Sequence, residues 1–178
     1  MVKKLAIFEH SGKIKTMIKQ ESILSLTLPM LKMKGRRYRK FKKISARMAQ
    51  EGEKIATITS DGIETINQAK KGDYIVKNKT EAGEMYIVPK KKFEERYELI
   101  EKKENGFSEY NSNGRILAIE MNRENLEFLK QPNEFKFIAP WGASMVVKEN
   151  DYLAVPLDYS EKYRIARKEF FETYQLED

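Results

Sequence analysis

The side chains of this sequence best suited to hold an anionic ligand gather in one run. Arg36, Arg37, Tyr38, Arg39, Lys40, Phe41, Lys42 and Lys43 interleave six cations with two aromatic rings. That pattern suits phosphate contacts combined with base stacking, as on single-stranded nucleic acid or a nucleotide. It also suits an exposed edge strand whose lysines and arginines keep it from pairing with another chain. Trp141, the single tryptophan, stands between Pro140 and Gly142 at a turn. There it can stack on a ring or cover the end of a core. The expected anion-binding residues are therefore Arg36, Arg37, Tyr38, Arg39, Lys40, Lys42 and Lys43, with Trp141 at the rim of a cleft.

The remaining candidates point away from catalysis. Asp73 and Asp151 occupy matching turns, and paired carboxylates can do acid–base work. A Gly-Asp turn, however, needs its carboxylate to cap backbone N–H groups, and that reading explains both without chemistry. His10 is the one histidine and there is no cysteine. A zinc site, a disulfide and a thiol nucleophile are thereby excluded. Ser11 beside His10 makes no triad, because triads are defined by geometry and not by adjacency. The isolated glycines Gly83, Gly106 and Gly114 form no phosphate loop. A protein that is not an enzyme and carries no cofactor is expected.

Charge is distributed unevenly. Residues 1–43 carry 13 Lys/Arg and 2 Asp/Glu, whereas residues 44–178 carry 21 and 25. A basic segment on a slightly acidic body points to an anionic partner. The apolar run at the N-terminus stops at Glu9-His10, too early for a signal peptide. No stretch reaches the roughly 18 apolar residues of a membrane span. A cytoplasmic protein is expected, in the host cytoplasm if phage-encoded.

The elements that must position these residues read mostly as strands. Residues 2–8, 13–19 and 22–28 alternate or run apolar as short strands do, and Ile44–Met48 has the signature of an edge strand. Residues 55–59 and 63–66 flank Ser60-Asp61-Gly62, a hairpin turn. Residues 74–76 and 85–88 form a second hairpin, and Pro89 opens a helix running to Leu99-Ile100. Residues 101–114 read as a polar linker. Beyond it come a strand at 115–121, a short helix at 123–130, a hairpin at 135–138 and 144–147, strands at 152–155 and 163–165, and a helix at 166–174.

An internal repeat orders these elements. Asp73-Tyr74-Ile75 returns as Asp151-Tyr152-Leu153, and Tyr86, Phe93 and Tyr97 return as Tyr163, Phe170 and Tyr174. The first set is displaced by 78 positions and the second by 77, so the second turn is one residue shorter. The aromatic pairs at four-residue spacing share a helical face and read as core. An α+β fold follows, mainly antiparallel β, with two related β-rich units each closed by a short C-terminal helix. The boundaries are a basic N-terminal β segment at 1–37, a first repeat at 38–100, the linker at 101–114 and a second repeat at 115–178.

Gly72-Asp73-Tyr74-Ile75-Val76, then Tyr86-x-Val88, then Phe93-x-x-x-Tyr97 resembles a group of small phage and bacterial domains named for a Pro-Gly-Asp-Tyr-Gly motif. Some of these carry the unit twice, and a Tyr-Arg-Lys stretch such as Tyr38-Arg39-Lys40 often opens it. Lys71 and Asn150 stand where the motif has Pro and Gly. The resemblance implies the fold and a phage or bacterial setting, and it implies no activity. The reading is a binding protein for an anionic ligand, such as a nucleotide or phosphorylated metabolite held between the units. The alternatives are a nucleic-acid-associated accessory protein acting through residues 34–43, and an inhibitor or adaptor that binds a host protein.

Overall fold

A computed structural model of the chain describes residues 17–104, 106–140 and 142–177. His10, Trp141 and the strand expected at 2–8 lie outside the described residues, as does most of the one expected at 13–19. Within them, Ile18 makes a single parallel bridge to Phe137.

The first described element is a helix, α1 (Gln20–Lys34), where alternation at 22–28 predicts a strand. Ile23, Thr27, Met30 and Leu31 form its buried stripe, at helical spacing. Strand-like alternation and Pro29 mask that stripe in the sequence. Tertiary burial overrides both.

Strands β1 (Arg36–Lys40), β2 (Ile44–Met48), β3 (Lys54–Thr59), β4 (Gly62–Gln68), β5 (Tyr74–Asn78) and β6 (Met85–Val88) follow, then α2 (Lys90–Arg96) and β7 (Tyr97–Glu101). The remainder is β8 (Ser108–Ser112), β9 (Arg115–Glu120), α3 (Arg123–Phe128), β10 (Glu134–Ile138), β11 (Ser144–Lys148), β12 (Tyr152–Pro156), β13 (Tyr163–Ile165), α4 (Arg167–Thr173) and β14 (Tyr174–Leu176). The fold is α+β and its sheets are antiparallel, as expected.

Two five-stranded sheets carry the repeat among the described residues, in the orders β6-β5-β2-β8-β7 and β13-β12-β9-β1-β14. The matching elements are β2 with β9, β5 with β12, β6 with β13, α2 with α4, and β7 with β14. Val76 pairs with Tyr86 and Ala154 with Tyr163, so the second turn is one residue shorter. Asp73 accepts from the Lys70 N–H and Asp151 from the Lys148 N–H, each at 2.8 Å. These are the expected turn caps. Gly72 and Asn150 occupy matching left-handed positions at φ 89° and 72°. Asn tolerates that conformation better than most residues, which accounts for the departure from glycine.

Each sheet is completed by a strand from the other repeat. β1 leads into the first unit in sequence yet lies in the second unit's sheet, between β9 and β14. β8 leads into the second unit and lies in the first unit's sheet, between β2 and β7. The registers correspond: Tyr38 sits opposite Ile116 and Leu176, and Tyr110 opposite Ile44 and Leu99. Several expectations change accordingly. β1 is interior, so the basic run is not an edge strand, and β2 is interior too. Residues 108–112 of the expected linker are a strand. The helix after Pro89 ends at Arg96, and Leu99-Ile100 belong to β7.

The core has three parts. α1, α3 and the β10–β11 hairpin close over one face of β9 and β12, burying Phe135, Phe137, Met145 and Leu153. Each α2 or α4 helix then presses one phenylalanine, Phe93 or Phe170, into a tyrosine-rich cluster.

Candidate functional site

A cavity of about 670 Å³ lies between the two units, within the size range of small-molecule sites. The β3–β4 hairpin, α2 and β6 of the first unit line it, with β13 and α4 of the second. Its lining follows the repeat. Glu84 and Glu161, Tyr86 and Tyr163, Lys92 and Glu169, Arg96 and Thr173, and Tyr97 and Tyr174 are five pairs displaced by 77 positions, and all ten residues face this one space. The cavity thus lies where the two repeats approach each other symmetrically.

Its centre is phenolic. The Tyr86 and Tyr97 hydroxyls are 3.2 Å apart, and Tyr163 and Tyr174 are hydrogen-bonded to each other. Burial, followed by the neighbouring phenols, raises Tyr86 and Tyr174 well above the usual tyrosine value; burial is also the main cause at Tyr163. All three remain neutral O–H groups at pH 7. The matched positions one helical turn before Tyr97 and Tyr174 are Phe93 and Phe170, which are core and need no hydroxyl.

On one side, Lys92 and Arg96 reach Glu161 at 2.5 and 3.2 Å. Burial opposes the Arg96 charge, but Tyr163 and Glu161 outweigh it and raise its pKa. On the other side, Lys40 donates to Asn78 Oδ1 at 2.8 Å and to Tyr86 Oη at 3.1 Å. Asn78 donates in turn to Glu84 at 2.7 Å, and Thr80 also donates to Glu84. Glu169 Oε1 accepts from the Ser60 N–H at 2.7 Å. Glu169 Oε2 and Thr173 Oγ1 have no protein partner, although each residue is only 3% exposed.

The β3–β4 hairpin turns a polar face inward. Thr57, Thr59 and Thr65 line the cavity, while Ile58, Ile63 and Ile66 are exposed outside. Counted from the matching turn caps at Lys70 and Lys148, Thr57 opposite Thr65 corresponds to Ala139 beside Ala143, and Phe137 opposite Met145 to Ile55 opposite Asn67. The second unit has two small apolar residues at this position, and the first has hydroxyls facing open space.

Beside the cavity, Arg164 is buried among carboxylates. It contacts Asp151 at 2.8 Å, Glu64 at 3.1 Å, and Asp61. Burial works against its charge, but these partners outweigh it and raise its pKa. Burial raises Glu64 above the usual carboxylate range despite Arg164.

Strand alternation divides the expected anion-binding residues. Arg36, Tyr38 and Lys40 point to one face of β1, Arg37 and Arg39 to the other. Arg36, Arg37, Arg39 and Lys43 are exposed, and Lys42 donates to the Lys79 carbonyl at 3.2 Å. Tyr38 packs on Phe170. Among the described residues of this set, Lys40 alone lines the cavity. Trp141 is outside the described residues, though its neighbour Pro140 reaches the cavity. Comparison with family models, with curated proteins and with solved structures found no match for this chain.

Proposed function

We propose that this protein is a non-enzymatic binding protein that encloses a small polar molecule between its two repeats. The observation that carries the reading is the inner face of β3–β4, where Thr57, Thr59 and Thr65 turn toward open space between the repeats. Leaving that volume open forfeits packing stability. A bound molecule can restore the lost contacts and use the hydroxyls. Neutral phenols on the two repeats supply further hydrogen bonds, and Lys40 of the basic run reaches the same space. The charged lining does not favour an anion: Lys40, Lys70, Lys92, Arg96 and Arg164 are matched in number by Glu64, Asp73, Glu84, Glu161 and Glu169.

The test fills the inner face of β3–β4 with larger apolar side chains. Thr65→Met alone and Thr57→Phe/Thr65→Met should fold and lose any small molecule that native mass spectrometry finds on freshly purified wild-type protein. Retention of the same molecule by both folded variants would place its site elsewhere.

A further inference from the structure

We infer that the cavity takes a small organic cation, a primary amine or guanidinium, with its charged nitrogen against Glu169 and Thr173. The inference rests on the cavity being a binding site, and it comes from comparing the two halves of that cavity. On one side α2 supplies Lys92 and Arg96, and both meet Glu161 from the other unit. At the matching positions α4 supplies Glu169 and Thr173, and the residue matching Glu161 is Glu84. The helix–turn contact is retained: Lys168 of α4 pairs with Glu81 at 2.5 Å, and Glu172 accepts from the Glu81 N–H at 2.9 Å. What has changed is the chemistry. A lysine and an arginine are replaced by a carboxylate and a short hydroxyl, so this half lacks both the two cations and the volume of their side chains.

The missing charge is visible in unmet hydrogen bonding. Glu169 Oε2 and Thr173 Oγ1 lie one helical turn apart on the cavity face of α4, buried and without partners. A buried polar atom left unpaired is costly, and a carboxylate oxygen accepts only from a donor. An ammonium or guanidinium supplies the donors and the charge together. Elsewhere in the cavity a cation already sits over phenol rings: Lys40 Nζ lies 5.7 Å and 5.8 Å from the centroids of Tyr86 and Tyr97. A metal ion fits less well, because the described residues contain no group of three or more His, Cys, Asp or Glu that could hold one.

The test is titration calorimetry and thermal shift with putrescine, agmatine, L-arginine and L-lysine, against AMP and inorganic phosphate. At least one amine or guanidine should bind and raise Tm, and the two anions should not. Glu169→Gln keeps an oxygen for the Ser60 N–H and should weaken that binding at least tenfold. Glu169→Lys, which copies Lys92, should abolish it and raise the Tm of the ligand-free protein. Binding of a cation that Glu169→Gln leaves unchanged overturns the inference. Binding of AMP or phosphate with no response to any cation also overturns it, while leaving the cavity as a binding site. No response to any of the six compounds, together with no retained molecule in native mass spectrometry, removes the cavity reading itself.

Discussion

Tyr38 meets Phe170 edge to face, with ring centroids 4.8 Å apart and planes at 76°. The first residue introduces the first repeat and the second closes the last one. Tyr110 meets Phe93 in the same way, at 5.0 Å and 79°. The two contacts express one fact, that each repeat completes its sheet and its aromatic cluster with a strand from the other. Neither repeat can therefore keep its cluster if the other unfolds. Tyr38→Ala is expected to lower the Tm of the whole protein in a single transition, and Tyr38→Phe to be tolerated. Two separate transitions by calorimetry would contradict this coupling.

Phe93→Ala and Phe170→Ala should each destabilise by about 3–5 kcal/mol, because both rings are buried and stacked on a tyrosine. Denaturant melts measure the loss. A negligible effect for either would remove that ring from the core.

Replacing Arg36, Arg37, Arg39, Lys42 and Lys43 with Gln should leave the fold and cavity binding unchanged, since exposed changes usually stay within about 0.5 kcal/mol. Lys40 is left out because it is buried. If these cations track a single strand, the slope of log affinity against log salt falls by about 0.7 per lost contact. The division of Arg36 from Arg37 and Arg39 between the two faces of β1 predicts a smaller change for RNA or DNA, readable in filter binding across a salt series.

Lys162 is fully buried, and burial pushes its ammonium down to about 7. Its Nζ contacts Thr27 of α1. Between about 7 and the ordinary lysine value of roughly 10.4 the unfolded chain binds a proton that the folded chain does not. Stability from this group should therefore rise as pH climbs through that window, and be lost as pH falls to about 7. Lys162→Met should flatten the rise and stabilise the protein at neutral pH. Denaturant melts at pH 7 and pH 9 provide the check.

Arg164→Met should cost about 3–5 kcal/mol at neutral pH, because it leaves Asp61, Glu64 and Asp151 without their shared cation. Glu64 is already raised, so the folded chain holds its proton at a pH where the unfolded chain has released it. That contribution is present below the unfolded carboxylate value and is lost as pH rises through the raised one. Without Arg164 the window should extend upward, and the variant should recover stability relative to wild type on acidification. A deficit independent of pH would rule out the carboxylates as its cause.

The sequence by itself determined the repeat, the antiparallel hairpins, the turn caps at Asp73 and Asp151, and the buried phenylalanines. These rest on local rules, namely two-residue alternation, Gly-Asp turns and four-residue aromatic spacing, and they read the same in any context. Only the tertiary structure decided that β1 and β8 change sheets, because strand pairing over this distance leaves no local pattern. It also decided that residues 22–28 form a helix: Ile23, Thr27, Met30 and Leu31 gain more by burial against β9 and β10 than their strand-like alternation and Pro29 cost. The cavity belongs to the same class. Glu169, Thr173, Lys92 and Arg96 are ordinary helix-surface residues in the sequence. They become two unequal halves of one site because the reciprocal exchange of strands brings matching positions of the two repeats face to face.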